Sequence, residues 1–231
     1  MKKYIGIITA MREELEAIKK QATKQKEKHK YELTFIECEI SNCDCILVES
    51  KIGKVNAARV TQILIDLYPI QFIISIGSAG SINPEISYGD IVIGEKLLQH
   101  DFDITAFGHP KGYIAGVGLY LESQKELVQK CKEVMKQYTK LENKIIIGTI
   151  ASGDIFCTSI KMKEKIREKF KADCVEMESA AIAQVCMLDQ IPFLVIRSIS
   201  DTPNGSNHID FNEYLEFASK RCAEFIKEML K

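Results

Sequence analysis

The chain has 231 residues, of which 46% are hydrophobic, so it is long and apolar enough for one large folded unit with a full core. Its formal net charge of −1 favours neither a nucleic-acid-binding nor a membrane-surface protein. No apolar run approaches the ~20 residues of a membrane span, and the N-terminal one is too short for a signal peptide. Eight irregularly spaced cysteines then predict reduced thiols in the cytoplasm, without disulfides or a metal site.

The N-terminal part of the chain alternates between apolar runs and amphipathic stretches. A strand is predicted at Tyr4–Thr9, followed by a helix at Met11–Lys20. The basic run of residues 19–30 has no interleaved aromatic side chains, so we expect a solvated helix end and loop, not a polyanion site. Two strands follow at Tyr31–Ile40 and Cys43–Ile52, and the short Ser-Asn segment between them favours a hairpin.

The middle of the chain continues the alternation. Apolar residues at helical spacing predict a helix at Val55–Leu67. A buried strand is expected at Gln71–Ile76, where it runs into the turn Gly77-Ser78-Ala79-Gly80. Another strand begins at Gly89, and residues 100–121 are glycine-rich and predicted to be irregular.

The C-terminal part completes an α/β pattern with a central sheet in a single domain, residues 1–231. The run Ile191–Ile196 reads as a strand that is apolar on both faces, which is typical of the middle of a mostly parallel sheet. A short strand is expected to end near Met177. The other predicted elements are a strand at Lys144–Ser152 and helices at Ser123–Tyr138, Ser159–Phe170, Glu178–Leu188 and Phe211–Leu230.

An acid stands just beyond the apolar strand of residues 191–196. Ligands bind beyond the carboxyl ends of the strands in such sheets, so Asp201 lies where a site is expected. Water is scarce at the rim of a core, and burial raises the pKa of a carboxyl group there. The sequence therefore predicts an acid that can donate a proton near neutral pH.

Other candidate residues have two interpretations. Glu14 and Glu178 lie near helix starts, where a carboxylate complements the helix dipole, yet Glu176 and Glu178 flank Met177 at a strand end and place several groups together. The Gly77–Gly80 turn is either a phosphate cradle or a structural turn. Phe156 either stacks on a flat ring or belongs to the core.

Taken together, these residues resemble the nucleoside phosphorylase-like superfamily and, within it, the 5′-methylthioadenosine/S-adenosylhomocysteine nucleosidases. The similarity runs nearly end to end. The segments that carry it are Ala10-Met11-Arg12-Glu13-Glu14, Ile52-Gly53-Lys54, Gly77-Ser78-Ala79-Gly80, Gly89-Asp90-Ile91-Val92, Asp103-Ile104-Thr105-Ala106-Phe107-Gly108, Ser152-Gly153-Asp154, Val175-Glu176-Met177-Glu178 and Arg197-Ser198-Ile199-Ser200-Asp201.

The resemblance implies a three-layer α/β/α fold with a central mixed, mostly parallel twisted sheet. It implies an enzyme that cleaves the N-glycosidic bond between adenine and a 5′-thio-substituted ribose with water, without a cofactor or metal. The implied partners are a small nucleoside and a second copy of the chain in a homodimer.

The resemblance also assigns roles to individual residues. Asp201 is the implied acid toward N7 of adenine, and Glu14 the implied base for the attacking water. The implied contacts of the ribose are Glu178 with its hydroxyls, Met177 under the sugar, and Ser78 and Gly80 beside the ribose and the water. The implied contacts of adenine are Phe156 stacked on the ring and Cys157 at its polar edge, while Ser200 and Arg197 orient their neighbours. The implied 5′-thio pocket consists of Met11, Ile52 and Phe211, joined by Ile104 and Phe107 from a second subunit.

Two departures from the family pattern affect the 5′-thio pocket. The stretch Gly112–Gly116 lacks the glutamine and proline expected there, and Cys157 replaces a larger aliphatic residue. The preference among 5′-substituted adenosines, including deoxyadenosine or a futalosine-like nucleoside, therefore stays open.

Two other functions are possible alternatives to hydrolysis. A nucleoside phosphorylase needs cationic partners for phosphate, but Ser75 stands where such relatives carry arginine, and Glu14 would repel the dianion. A non-catalytic nucleoside sensor is disfavoured because all three acids and Phe156 are present. The sequence thus predicts a hydrolase, and the polar loop of residues 201–208 is expected to close over its site.

Overall fold

A computed structural model describes residues 2–137, 143–201 and 211–231, apart from the side chains of residues 137 and 211–213. Within these ranges a mixed β-sheet carries helices on both faces, which confirms the predicted three-layer α/β/α architecture. The strands are β1 (Tyr4–Thr9), β2 (Thr23–Lys30), β3 (Leu33–Ile40), β4 (Cys43–Glu49), β5 (Ile70–Ser81), β6 (Ile91–Gln99), β7 (Leu121–Glu122), β8 (Ile145–Ser152), β9 (Cys174–Glu176) and β10 (Phe193–Asp201). The α-helices are α1 (Arg12–Lys19), α2 (Lys54–Leu67), α3 (Lys125–Gln137), α4 (Ile160–Phe170), α5 (Ser179–Leu188) and α6 (Phe211–Met229).

Parallel strands form the centre of the sheet. β1 lies between β4 and β5, and β5 also pairs with β10, all in parallel. The antiparallel strands β3 and β2 extend the sheet beyond β4. On the other side β10, β6, β8 and β9 pair in succession, and β9 pairs again with β5. The carboxyl ends of β1, β5 and β10 therefore lie at one edge of the sheet.

Successive residues of the central strands face opposite layers of the fold. On β10, Leu194 and Ile196 join the apolar cluster that includes residues of α1, α3 and α6, whereas Phe193 and Val195 join the cluster with α2 and α5. This period of two explains why the sequence of this strand is apolar without interruption. No helix in the described ranges is long and apolar enough to cross a membrane.

The predicted hairpin of β3 and β4 is confirmed. Ser41 and Asn42 connect the strands with φ angles of 48° and 64°. Left-handed backbone at both central residues matches the twist of the flanking strands. Between β6 and β7 the chain is irregular, as predicted, apart from a 3₁₀ turn at Thr105–Phe107.

The prediction for the basic run is wrong, because Thr23–Lys30 forms an edge strand and not a loop. Every side chain of β2 is exposed, so the sequence shows no apolar alternation. The strand is held instead by backbone pairing to β3 and by cross-strand ion pairs: Lys24 Nζ lies 2.7 Å from a Glu39 oxygen, and Lys28 pairs with Glu37. Lysines on such an edge also discourage pairing with other chains.

Candidate active site

A cavity of about 410 Å³ opens at the edge where β1, β5 and β10 end. A volume of this size fits a small organic ligand. The residues that line it come from the β1–α1 junction, the ends of β5 and β10, the β8–α4 loop and the β9–α5 junction: Ala10, Met11, Glu14, Ile52, Ser78, Ala79, Gly80, Ile155, Phe156, Cys157, Val175, Glu176, Met177, Glu178, Arg197, Ser200 and Asp201.

Glu14 is buried in the first turn of α1, with both carboxyl oxygens accepting hydrogen bonds. Oε2 accepts the N–H groups of Ala10 and Met11 at 3.0 and 3.1 Å. Oε1 accepts the N–H of Ser78 at 2.9 Å and its hydroxyl at 3.2 Å. Burial raises the pKa of Glu14, while the charge of Arg197 and the backbone donors oppose that rise. The result is an acceptor carboxylate with increased basicity.

The segment Gly77–Gly80 does not form the predicted turn. β5 continues through Ser81, because β10 pairs along this segment and β9 pairs with its last residues. The N–H and hydroxyl of Ser78 donate to Glu14 and not to an exogenous anion. The segment therefore holds a carboxylate of the chain itself.

Asp201 is the last residue of β10 and lines the cavity. Its Oδ2 lies 2.7 Å from the Nζ of Lys163, whose side chain is 2% exposed. Burial raises the pKa of Asp201, as expected from the sequence, whereas the hydrogen bond and charge of Lys163 act to lower it. The sequence did not indicate the ammonium group of α4 that reaches this buried carboxylate.

Two glycines of β5 allow both carboxyl groups to approach its backbone. A Cβ atom at Gly77 would lie 2.7 Å from Oε1 of Glu14, and one at Gly80 would lie 2.6 Å from Oδ1 of Asp201. The two contact points are three residues apart, hence at most about 10 Å. Glu14 and Asp201 are therefore held at two nearby places on one strand.

Glu176 and Arg197 form a buried ion pair beside the cavity. The Nη2 of Arg197 lies 3.0 Å from Glu176 Oε2 and donates to the Ser75 hydroxyl at 2.9 Å. Although burial raises the pKa of Glu176, the Arg197 charge and hydrogen bonds from Ser152 and Ser179 outweigh it, and the pKa is lowered. Glu176 is therefore ionised.

Glu178 has the opposite protonation preference. Its Oε1 accepts the N–H of Gly53 at 2.9 Å. Burial, followed by the negative charge of Glu176, raises the pKa of Glu178 to about 8. Near neutral pH the group is mostly uncharged, so its other oxygen is able to donate to a hydroxyl group.

Apolar side chains form the rim of the cavity. Ile52, Ile155 and Phe156 are 52%, 43% and 48% exposed, respectively. Partly buried Met11 and Met177 lie with them along the lining. The cavity thus combines charged groups held by hydrogen bonds with an apolar entrance suited to a flat ring and an apolar substituent.

Comparison with known proteins gives the family. The sequence model of the Phosphorylase superfamily matches residues 4–231. A 5′-methylthioadenosine/S-adenosylhomocysteine nucleosidase from Geobacillus thermodenitrificans (strain NG80-2) is 38% identical over 231 aligned positions, which cover 97% of this chain and 95% of that relative. The chain belongs to the 5′-methylthioadenosine/S-adenosylhomocysteine nucleosidases of this superfamily.

Solved structures of similar proteins share the fold over nearly the whole chain. A nucleosidase of this family from S. pneumoniae, with the transition-state inhibitor MT-ImmA, has a TM-score of 0.93 and 38% identity, covering 99% of this chain and 98% of its own. A futalosine hydrolase from Helicobacter pylori strain 26695 also has a TM-score of 0.93, at 34% identity, covering 99% of this chain and 97% of its own. The nucleoside phosphorylase-like fold implied by the sequence is therefore confirmed.

Most of the predicted site residues of this nucleosidase line one cavity. Three do not. Ile104 and Phe107 lie in and beside the 3₁₀ turn outside the lining, and Phe107 is 82% exposed. The side chain of Phe211 lies outside the described part of the structure, as does the predicted lid of residues 201–208 apart from Asp201.

Sequence reasoning missed Lys163 and did not assign a role to Glu176. Lys163 shares one face of α4 with Ile166 and Phe170, at helical spacing, and all three are buried. A lysine in an apolar stripe is the signal that could have identified it. Its partner, however, comes from β10, which the sequence of α4 does not reveal.

Proposed function

We propose that the chain hydrolyses the N-glycosidic bond of 5′-methylthioadenosine and of S-adenosylhomocysteine, releasing adenine and the 5-thio-substituted ribose. Family membership supports this reaction. The observation that carries the mechanism is that two carboxyl groups, Glu14 and Asp201, lie in one cavity against the same strand. Paired carboxyl groups of this kind supply an acid and a base to glycoside hydrolysis.

In this mechanism Asp201 acts as the acid. Adenine leaves poorly as an anion, so a proton delivered to N7 lets the bond to the sugar break while the ribose gains oxocarbenium character. A positioned proton donor contributes roughly 10²–10⁴-fold to such a step. Burial supports the role because it raises the pKa of Asp201 and so helps it to hold a proton.

Glu14 acts as the base for water. Its four hydrogen-bond donors fix the carboxylate, and the pKa raised by burial makes it a stronger base. Both acids line one cavity, and their contact points on β5 are at most about 10 Å apart, so both can reach one bound nucleoside.

The remaining lining residues bind the nucleoside. Glu178, uncharged near neutral pH, exchanges hydrogen bonds with the ribose hydroxyls, and Met177 packs under the sugar. Phe156 stacks on adenine. The other assigned contacts are the main chain of Cys157 with the base, Ser78 and Gly80 with the ribose and water, Ser200 and Arg197 as orienting groups, and Met11, Ile52 and Phe211 with the 5′-thio substituent.

Phosphorolysis is the alternative reaction, and the surroundings of Glu14 disfavour it. The N–H and hydroxyl of Ser78 already donate to this carboxylate. A phosphate dianion there would face a negative charge, and the guanidinium of Arg197 is paired with Glu176. Water fits this position, because it is neutral and can either donate or accept a hydrogen bond.

We also infer a cytoplasmic homodimer. The eight cysteines are free thiols, as a reducing compartment requires. Phe107 and Val55 are large apolar side chains that are 82% and 78% exposed. Burial of such side chains in a second subunit, with Ile104 and Phe107 reaching the partner's 5′-thio pocket, accounts for their exposure.

Replacement of Asp201 by Asn tests the proposed acid. The amide keeps the shape of the side chain but cannot transfer the proton, so kcat for 5′-methylthioadenosine should fall roughly 10²–10⁴-fold while folding is retained. Adenine release measures the rate, and circular dichroism checks the fold. Turnover at the wild-type rate would show that Asp201 is not the acid.

The same assay, run with and without phosphate, distinguishes hydrolysis from phosphorolysis. We expect an unchanged rate and free 5-methylthioribose as the sugar product. A rate that depends on phosphate, or a ribose 1-phosphate product, would contradict the proposed reaction.

A further inference from the structure

Lys163 is a buried cation that the proposed mechanism does not yet use. Its side chain is 2% exposed, and its Nζ lies 2.7 Å from Oδ2 of Asp201. Asp201 lines the cavity, whereas Lys163 is not part of the lining and lies behind the acid. The contact with Asp201 therefore gives Lys163 a route by which to influence the substrate.

The burial of this lysine is unusual for its helix. The charged neighbours Lys161, Glu164 and Lys165 on α4 are exposed, as is normal for such residues. Removing an ammonium group from water is costly unless a partner of opposite charge compensates it. A charge-assisted hydrogen bond of 2.7 Å to Asp201 provides that compensation.

The other titratable groups that face Asp201 carry no compensating charge. The thiol of Cys157, in the β8–α4 loop, and that of Cys174, on β9, both interact with the carboxylate. Burial raises the pKa of each thiol, so both stay neutral. Within the described residues, Lys163 is therefore the charged group that faces Asp201 from the packed elements.

We propose that Lys163 is a positioning residue that sets the acid strength of Asp201 and holds its carboxyl group in place. This assignment of Lys163 rests on the proposed role of Asp201 as the acid. During the reaction the O–H bond of Asp201 breaks, N7 of adenine gains the proton, and the electrons of the glycosidic bond move onto adenine. The ammonium group of Lys163 stabilises the carboxylate that remains.

This arrangement has two opposed consequences. The ammonium makes protonated Asp201 a stronger acid toward N7, which speeds bond cleavage. It also favours the ionised form in the free enzyme, so Asp201 loses its proton at a lower pH than it would without Lys163. An opposite charge this close lowers the pKa of a carboxyl group.

Replacement of Lys163 by Met separates these effects. At low pH, where Asp201 is protonated in both enzymes, a weaker acid should lower kcat/KM roughly 3- to 30-fold. As the pH rises, the wild-type enzyme loses the proton first, so the ratio of variant to wild-type kcat/KM should increase. A folded fraction that is the same at every pH scales this ratio without changing its slope, and the titrations of Glu14 and Glu178 are common to both enzymes.

Two further variants serve as controls. Lys163→Arg keeps the cation, so its ratio to wild type should be nearly independent of pH. Lys165→Met removes an exposed lysine from the same helix and should leave the whole profile unchanged. A Lys163→Met profile parallel to that of the wild type, or one matched by Lys163→Arg, would overturn the proposal.

A double-mutant cycle shows whether Lys163 acts through the acid. If it does, Lys163→Met in the Asp201→Asn background should change kcat/KM by less than about twofold. A full additional loss would refute a role through Asp201. A different result would contradict the proposed function, namely turnover at the wild-type rate by the Asp201→Asn variant alone.

Discussion

At the scale of single residues, the site depends on two positions that have no side chain. The carboxyl groups of Glu14 and Asp201 occupy the space that a Cβ atom would fill at Gly77 and Gly80. Neither glycine has a positive φ angle. They are required for close approach and not for an unusual backbone conformation.

Gly80→Ala tests this requirement. The added carbon would lie 2.6 Å from Oδ1 of Asp201, so the carboxyl group has to move and its ion pair with Lys163 is disturbed. A displacement of about 1 Å at a reacting group costs on the order of 10²-fold, and we expect kcat/KM to fall by that amount. Adenine release from 5′-methylthioadenosine provides the measurement.

Gly94→Ala is a matched control for that variant. On β6 the added carbon would meet a side-chain atom of Ile150 at 2.8 Å, which is similar crowding away from the cavity. Gly94→Ala should lower the melting temperature and leave kcat/KM unchanged. Equal losses of activity in both variants would mean that crowding of the sheet, not displacement of Asp201, is responsible.

At the scale of secondary-structure elements, Glu178 connects two helices. It is the N-cap residue of α5, and its side chain accepts the N–H of Gly53, the N-cap residue of α2. The connection spans 125 positions of the sequence. Since Glu178 retains a proton in the folded protein, this junction links stability to pH.

Glu178→Gln should weaken that dependence. The pKa of Glu178 is raised from 4.5 to about 8, so the folded state holds a proton that the unfolded chain releases. The stability contribution is fully present below the unfolded pKa and is lost as the pH rises toward about 8. The amide keeps an acceptor for Gly53 and does not titrate.

Thermal unfolding between about pH 5 and pH 8 measures this effect. The melting temperature of the variant, relative to that of the wild type, should increase with pH. A constant difference across the range would mean that Glu178 does not titrate as its surroundings indicate.

Elements were predictable from sequence where burial leaves a pattern. β1 and the β3–β4 hairpin were located from apolar residues and turn chemistry, and the structure confirms them. β2 was missed because all of its side chains are exposed and its stability comes from pairing with β3. Gly-Ser-Ala-Gly is typical of turns, so the sequence predicts a turn at the end of β5, whereas pairing with β10 and β9 extends the strand.

At the scale of the whole molecule, exposed apolar side chains favour assembly. Phe107 is 82% exposed and does not line the cavity of its own chain. If it completes the partner's 5′-thio pocket, sedimentation should show a species of twice the 26.1 kDa chain mass. An active monomer would contradict the homodimer.

Phe107→Ala should then lower kcat/KM for 5′-methylthioadenosine more than for adenosine, which lacks the 5′-thio group. Loss of the aromatic contact in a pocket should cost roughly 10-fold. Tyr31→Ala removes another exposed aromatic residue, 57% exposed and outside the cavity lining, and should change neither rate. Equal effects on both nucleosides would argue against a contact with the thio substituent.

The sequence by itself determined the α/β alternation, the strand ends at which acids are found, and the short motifs that identify the family. These features are local, because a few adjacent residues set burial, turn formation and position at a strand end. The tertiary structure alone decided the surroundings of each acid. Glu14 meets Ser78 across 64 positions, Asp201 meets Lys163 across 38, and Glu178 meets Gly53 across 125. Protonation depends on burial and on charges within a few ångströms, and only folding brings those groups together.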